Sequence, residues 1–186
     1  MFNRGIAAIV ALLLLLAVAA LWLDRKSETP IASAKQQSET AIDASAGVIY
    51  ATSFPDADGR QQSLGQWQQK ILVINFWATW CAPCKEEMPV LSKLQSEFLG
   101  NGVQFVGIGA DSSLNVANYS KNTPVSYPLL ADEARAIAFS KRLGNRLGLL
   151  PYTLILDRGG AIVLTKLGVV SEHELRDILA KLSKHH

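Results

Sequence analysis

The chain has 186 residues, 49% hydrophobic and 18% charged, with 18 Lys and Arg against 16 Asp and Glu for a formal net charge of +2. So mild a balance, with the basic residues scattered along the chain, argues against a nucleic-acid partner. The hydrophobic share is raised by one N-terminal stretch, so it does not make the rest of the chain a membrane-embedded domain.

That stretch, Ile6 to Leu23, is an unbroken apolar run. As a helix rising 1.5 Å per residue it reaches roughly 27 Å, just enough to cross a hydrocarbon core. Arg4 precedes it and Asp24-Arg25-Lys26 follows, a charge bias too weak to set orientation by itself. A cleavable signal peptide competes, with Ala32-Ser33-Ala34 as a small-residue site. That site lies far beyond the apolar segment, which is also longer than a usual signal core, so an uncleaved signal anchor is favoured. Residues 1–26 are therefore assigned to the anchor. Residues 27–46, rich in Ser, Ala, Gln, Glu and Thr without sustained apolar periodicity, read as a flexible tether. Residues 47–186 are one domain's worth of chain, with no internal repeat, and can bury a sizeable core.

Within that domain Val48 to Thr52 is expected as a first edge strand, and Asp56 to Arg60, with Gly59, as a turn ahead of Leu64 to Trp67. Ile71 to Phe76 is apolar except for Asn75, as in a central strand covered on both faces. A helix then runs to about Phe98, with Met88, Leu91, Leu94 and Phe98 at helical spacing and Gly100-Asn101-Gly102 as its stop. Val103 to Gly109 is the next strand. Asn115 to Lys121 is a short helix introduced by Ser112 and Ser113. Tyr127 to Leu130 is a short strand, and Glu133 to Leu143 a helix with Ile137 and Ala138 towards the core. Thr153 to Asp157 and Ile162 to Leu167 flank a hairpin turn at Arg158-Gly159-Gly160. A last helix starts at Ser171, whose hydroxyl and Glu174 make a capping box, and carries Leu175, Ile178, Leu179 and Leu182. The order βαβ then ββα predicts an α/β fold: a mixed sheet with helices on both faces.

The chemistry sits at the start of the first long helix. The only two cysteines form Trp80-Cys81-Ala82-Pro83-Cys84, directly after the central strand. A zinc site needs four ligands, and the only histidines, His173, His185 and His186, lie near the chain's end, so no metal is expected. A purely structural disulfide would close too short a loop to constrain the unfolded chain much. Thiol-disulfide exchange fits better. A cysteine at a helix N-terminus faces free N–H groups and the positive end of the dipole, which stabilise its thiolate, so Cys81 reads as the nucleophile. Cys84, on the same face and one turn deeper, would resolve the mixed disulfide. Pro83 suits a first turn, where its missing donor would be orphaned anyway. The Ala82-Pro83 spacer adds no charge, so a reductant is expected rather than a strong oxidant.

The segments Asn75-Phe76-Trp77-Ala78-Thr79-Trp80-Cys81-Ala82-Pro83-Cys84, Glu87-Met88-Pro89 and Leu150-Pro151-Tyr152-Thr153, with the Asp157-Arg158-Gly159-Gly160 turn behind, resemble the membrane-anchored, extracytoplasmic TlpA/ResA-like branch of the redoxin family. The resemblance covers nearly all of the chain from about Gly47. It implies a thioredoxin fold, with Asn115 to Leu130 as the helix and strand this branch inserts. It also implies a Cys81–Cys84 redox disulfide as the working group and no other cofactor. Pro151 matches a cis-proline facing the cysteines, and Leu150 the residue whose backbone pairs with substrate. Glu87 matches an acid under the site that takes the proton from Cys84, with a pKa raised by desolvation. Asn75 stands where cytoplasmic thioredoxins carry an acid, so the proton duty cannot rest there. Trp77 and Trp80 flank the site and shape its contact surface. Pro89 is expected to kink the helix, and Lys85 and His173 to be solvated. Gly144-Asn145-Arg146-Leu147-Gly148 resembles a loop of some branch members, with no physical role evident for Arg146.

Together these readings predict a thiol:disulfide oxidoreductase on the periplasmic side of the cytoplasmic membrane. The expected partners are disulfide-bearing clients, with apocytochrome c or a copper-site assembly protein typical of the family, and a membrane-embedded donor of thiol-transfer type. A thiol peroxidase and a non-catalytic copper- or protein-binding module are the alternatives. Peroxidatic redoxins place their cysteine in a threonine-containing loop without this C-x-x-C, which weighs against the first.

Overall fold

The computed structural model describes residues 46–184 and, ahead of them, only Leu14. All but one residue of the expected anchor, all but one of the expected tether, and the two terminal histidines lie outside the described residues. Among the described residues no helix is long and apolar enough to cross a membrane.

β3 (Ile71–Trp77) is the middle strand of a five-stranded sheet of order β5-β4-β3-β6-β7. It pairs in parallel with β4 (Val103–Gly109), and β4 in turn with β5 (Leu129–Ala131). On its other side β3 runs antiparallel to β6 (Tyr152–Leu156), which pairs antiparallel with β7 (Ile162–Leu167). The mixed sheet is thus present as expected. Every residue of β3 and β4 is buried, whereas β7 alternates in burial as an edge strand with one wet face does. A separate antiparallel hairpin, β1 (Ser53–Pro55) and β2 (Gln61–Ser63), turns at Gly59, whose φ of 79° only glycine adopts readily.

Side chains alternate across β3 and so divide the core in two. Ile71, Val73 and Trp77 join the cluster under α1 (Ala82–Phe98), which carries Cys84, Met88, Leu91 and Leu94, and under α4 (Glu172–Lys184), which carries Leu175 and Leu179. Leu72, Ile74 and Phe76 face the cluster of α3 (Glu133–Arg142) and the hairpin. Asn75, in phase with Val73 and Trp77, therefore points to the α1 side.

Most helix ends follow their caps. Ser112 Oγ accepts from Asn115 N at the start of α2 (Ser113–Asn122), and Asp132 caps α3. Ser171 Oγ accepts from Glu174 N, but the Glu174 carboxylate pairs with Lys166 at 3.0 Å, so the box is made from one side only among the described hydrogen bonds. α1 runs through Pro89 as one continuous helix.

Two expectations are corrected, and one segment left unassigned takes a structure. Residues 46–50 are helical rather than an edge strand. Ala51 N donates to Gly47 O in a helical hydrogen bond and the Thr52 hydroxyl donates to Val48 O, and the turn they close lets Ala46 and Ile49 face the core together. In α3 the buried face is Ala136, Phe139 and Ser140, with Ile137 at its margin and Ala138 exposed. Leu64–Trp67 forms a turn of 3-10 helix, capped by the Ser63 hydroxyl.

Candidate active site

Where β3 ends, the chain turns sharply: Cys81 N donates to Ala78 O at 3.1 Å, and Cys81 becomes the N-cap of α1. Its side chain makes no capping hydrogen bond, so the sulfur is not engaged by the helix's free N–H groups. Pro83 sits in the first turn, where its missing donor costs nothing. Cys81 and Cys84 are joined in a disulfide with their Cα atoms 5.3 Å apart. Cys84 is wholly buried and Cys81 6% exposed, so access from solvent is by way of Cys81. The two tryptophans part company. Trp80 stands beside the disulfide 69% exposed, whereas Trp77 is fully buried and belongs to the core, which corrects its expected place on the contact surface. Phase along β3 is the reason: Trp77 points under α1 with Val73.

One turn behind Cys84 on α1, Glu87 is 2% exposed. A carboxylate so deep needs donors for both oxygens. Oε1 accepts from Asn75 Nδ2 at 2.7 Å and Oε2 from Val170 N at 3.1 Å. Burial raises the Glu87 pKa above the ordinary carboxylate range, and the two hydrogen bonds oppose that rise without cancelling it. Asn75 Nδ2 also donates to Thr153 Oγ1 at 3.0 Å, which ties this pair to β6. Thr153 and Val170 are the members that reading the sequence missed. Thr153 was visible only as part of a family segment, and Val170 contributes a main-chain N–H, which no side-chain pattern announces. Tyr127 lies in the same core cluster, its phenol pushed far up by burial and by the negative charges of Glu87 and Tyr119.

The Leu150–Pro151 peptide bond is cis, as the resemblance implied. Pro151 O accepts from Gly168 N at 2.9 Å. The stretch from Gly168 to Val170 therefore holds both Pro151 and Glu87, linking two parts of the site that are far apart in the chain. Leu150 is half-buried and Leu149 exposed.

The turn carrying Trp80 is fixed from the side by Asp111, two residues beyond the end of β4. Its carboxylate accepts from the Thr79 hydroxyl and, at 3.3 Å, from Thr79 N. Ser112 N and Asn115 Nδ2 donate to its other oxygen at 2.8 and 2.7 Å. Burial alone would raise the Asp111 pKa, but these hydrogen bonds prevail and hold it below the usual carboxylate range. No feature of the sequence singled Asp111 out. Lys85 is exposed, and exposed His173 faces Asp177 one turn along α4 at 3.3 Å, both clear of this cluster. A buried cysteine pair at a helix start, here joined as a disulfide, with a desolvated carboxylate one turn behind and an exposed tryptophan in front, can exchange a disulfide with a second protein.

Residues 36–182 match the Redoxin family. The thiol-disulfide oxidoreductase ResA of Bacillus subtilis is 28% identical over 125 residues, 67% of this chain and 68% of that protein. Among solved structures, a thioredoxin-related protein from Neisseria meningitidis serogroup B is 36% identical, with a TM-score of 0.62 over 70% of this chain and 98% of that one. A thiol:disulfide interchange protein of the thioredoxin family from Chlorobium tepidum is 27% identical, with a TM-score of 0.63 over 71% of this chain and 92% of that one.

Proposed function

The chain belongs to the redoxin family, in its TlpA/ResA-like branch, and is a thiol:disulfide oxidoreductase; from that premise we propose that it reduces disulfides of client proteins outside the cytoplasm, held to the cytoplasmic membrane by residues 1–26. Residues 27–46 act as the tether and 47–186 as the catalytic domain. The observation that carries the exchange chemistry is Glu87, a buried carboxylate behind the buried cysteine with each oxygen held by one donor, and the uncharged Ala82-Pro83 spacer favours the reducing direction.

In the reduced protein the Cys81 thiolate attacks one sulfur of the client disulfide, and the other client sulfur leaves as a thiolate and is protonated from solvent. The Cys84 thiol then gives its proton to the Glu87 carboxylate, and its thiolate attacks Cys81 Sγ. The Cys81–client bond breaks as the Cys81–Cys84 disulfide forms, the second client sulfur leaves as a thiolate and takes up the proton that Glu87 accepted, and the client departs as a dithiol two electrons richer. A raised pKa makes Glu87 a stronger base than an ordinary carboxylate, which suits it to accept a thiol proton. Trp80, Leu150 and Pro151 form the client-binding lip. The disulfide is the only redox group the cycle needs. A membrane-embedded donor of thiol-transfer type returns the dithiol, since the extracytoplasmic compartment does not keep thiols reduced by itself. Apocytochrome c or a copper-site assembly protein is the client class the family resemblance favours.

A Cys84→Ala variant tests this directly, because the mixed disulfide on Cys81 then has no resolving thiol. Non-reducing gels of cells carrying it should show covalent adducts to extracytoplasmic proteins that collapse on adding dithiothreitol. Absence of any adduct, or rapid peroxide consumption without insulin reduction by the wild-type chain, overturns the reading. In spheroplasts a membrane-impermeant thiol reagent should label reduced Cys81, and its protection would overturn the assigned compartment.

A further inference from the structure

We propose that Asn145 is a positioning residue for client binding: its side chain holds the main chain of Leu149 so that the loop Gly144–Leu150 is a preformed apolar ledge beside the disulfide. The inference rests on the reductase reading above and adds to it a residue and a client chemistry, an extended segment with an apolar side chain next to its cysteine.

The loop combines opposite features. Leu147 and Leu149 are 73% and 52% exposed, yet the polar Asn145 between α3 and these leucines is 3% exposed. Its amide explains the inversion. Asn145 Oδ1 accepts from Leu149 N at 3.1 Å while Nδ2 donates to Leu149 O at 2.8 Å, the two-point grip a neighbouring strand would supply. Nδ2 donates also to Ser140 Oγ at 3.1 Å, and Asn145 N to Ser140 O at 3.0 Å, which fastens the grip to the end of α3. Asn145 O accepts from Gly148 N at 2.8 Å. Gly144 and Gly148, with φ of 106° and 67°, let the chain reverse on either side.

Because Leu149 spends both main-chain groups on Asn145, it cannot pair with a client. Leu150 is next in line and takes part in no hydrogen bond among the described residues. Beyond it Pro151 has no N–H, and its carbonyl is taken by Gly168. Pairing is thereby confined to one residue, with the exposed Leu147 and Leu149 on one side of it as the apolar surface a client side chain meets. Ordering the loop in advance removes a cost that binding would otherwise bear. The effect belongs in KM for protein clients, not in the exchange chemistry at Cys81.

The test compares insulin with hydroxyethyl disulfide, a substrate too small to use the ledge, on the wild-type chain and on Asn145→Ala and Asn145→Asp. The aspartate keeps the size and the bond from Leu149 N but sets a carboxylate against Leu149 O, so it guards against simple loss of folding. Both variants should raise KM for insulin about tenfold, equivalent to about 1.4 kcal/mol. Insulin kcat, hydroxyethyl disulfide turnover and reduction potential should all stay near wild type. An unchanged insulin KM in both variants overturns the proposal. So does a parallel fall in hydroxyethyl disulfide turnover, which would make Asn145 a support of the dithiol itself. A wild-type chain that reduces hydroxyethyl disulfide but not insulin would overturn the ledge and leave the dithiol chemistry standing, whereas one that reduces neither would refute the reductase reading, and this inference with it.

Discussion

Replacing Glu87 by Gln separates proton transfer from packing at this site. In the wild-type chain the folded-state pKa of Glu87 lies above its ordinary value of 4.5, chiefly through burial. The folded state therefore holds the proton more tightly than the unfolded one. Its contribution to stability is full below the unfolded pKa and is lost as pH rises through the folded pKa, at about 1.4 kcal/mol for each pKa unit of elevation. Glutamine is neutral at every pH and lacks that loss. It also has one acceptor where the carboxylate had two, but Asn75 can turn its amide. Asn75 Oδ1, buried and without a partner among the described residues, would then accept from the amide Nε2 of the introduced glutamine, whose Oε1 keeps the bond from Val170 N. The cost is the Asn75–Thr153 bond, about 1 kcal/mol. The stability difference, variant minus wild type, should thus be slightly negative in acid and grow with pH until Glu87 is fully ionised. Turnover should move the other way, falling about 100-fold, the low end for loss of a general base. Chemical denaturation and insulin reduction across about pH 5 to pH 9 read both quantities on one preparation, a range that spans carboxylate and thiol titration. A variant that reduces insulin at the wild-type rate with the same pH profile would refute the proton-transfer role. A stability difference independent of pH would refute the raised pKa.

Asp111→Ala should destabilise the chain by about 2 kcal/mol at neutral pH, because the Thr79, Ser112 and Asn115 donors lose a buried acceptor. The folded pKa of Asp111 is depressed below 3.8, so its contribution is present above that value and is lost as pH falls through the folded pKa. Denaturation curves of the two proteins should accordingly converge in acid, and a gap that persists there would count against the depressed pKa. Gly107→Ala would place a Cβ 2.6 Å from Leu129 Cδ2 and 3.1 Å from Trp77 Nε1, and should cost about 1 to 3 kcal/mol by overpacking in thermal unfolding. A wild-type Tm would show that this layer yields more easily than its packing implies.

The sequence is legible here where side-chain type and period agree, and opaque where the deciding group is main chain. β3 and β4 were readable because unbroken apolar runs of strand length bounded by turn residues suit strands covered on both sides, and both are buried throughout. The run Val48-Ile49-Tyr50 has the same character but is shorter than either period can distinguish, and the helical turn prevails because it buries Ile49 and Ala46 together. In α3 the cluster Ala136-Ile137-Ala138-Phe139 admits more than one apolar face, and Phe139, packed near the rings of Phe54 and Phe76, decides which is buried. The site divides in the same way. Cys81 and Cys84 were visible because a thiol pair at a helix start has its own chemistry, and Glu87 and Pro151 were visible through the family resemblance. The rise of the Glu87 pKa by desolvation was part of what the resemblance implied, but what holds the carboxylate was not: it includes a main-chain N–H supplied by Val170, 83 positions further along the chain. Gly168, two residues before that donor, holds the carbonyl of Pro151. One short segment without a reactive side chain thus sets both the base and the substrate lip, so substitutions there should alter proton transfer and client binding together, although no residue in it would be picked out by its chemistry.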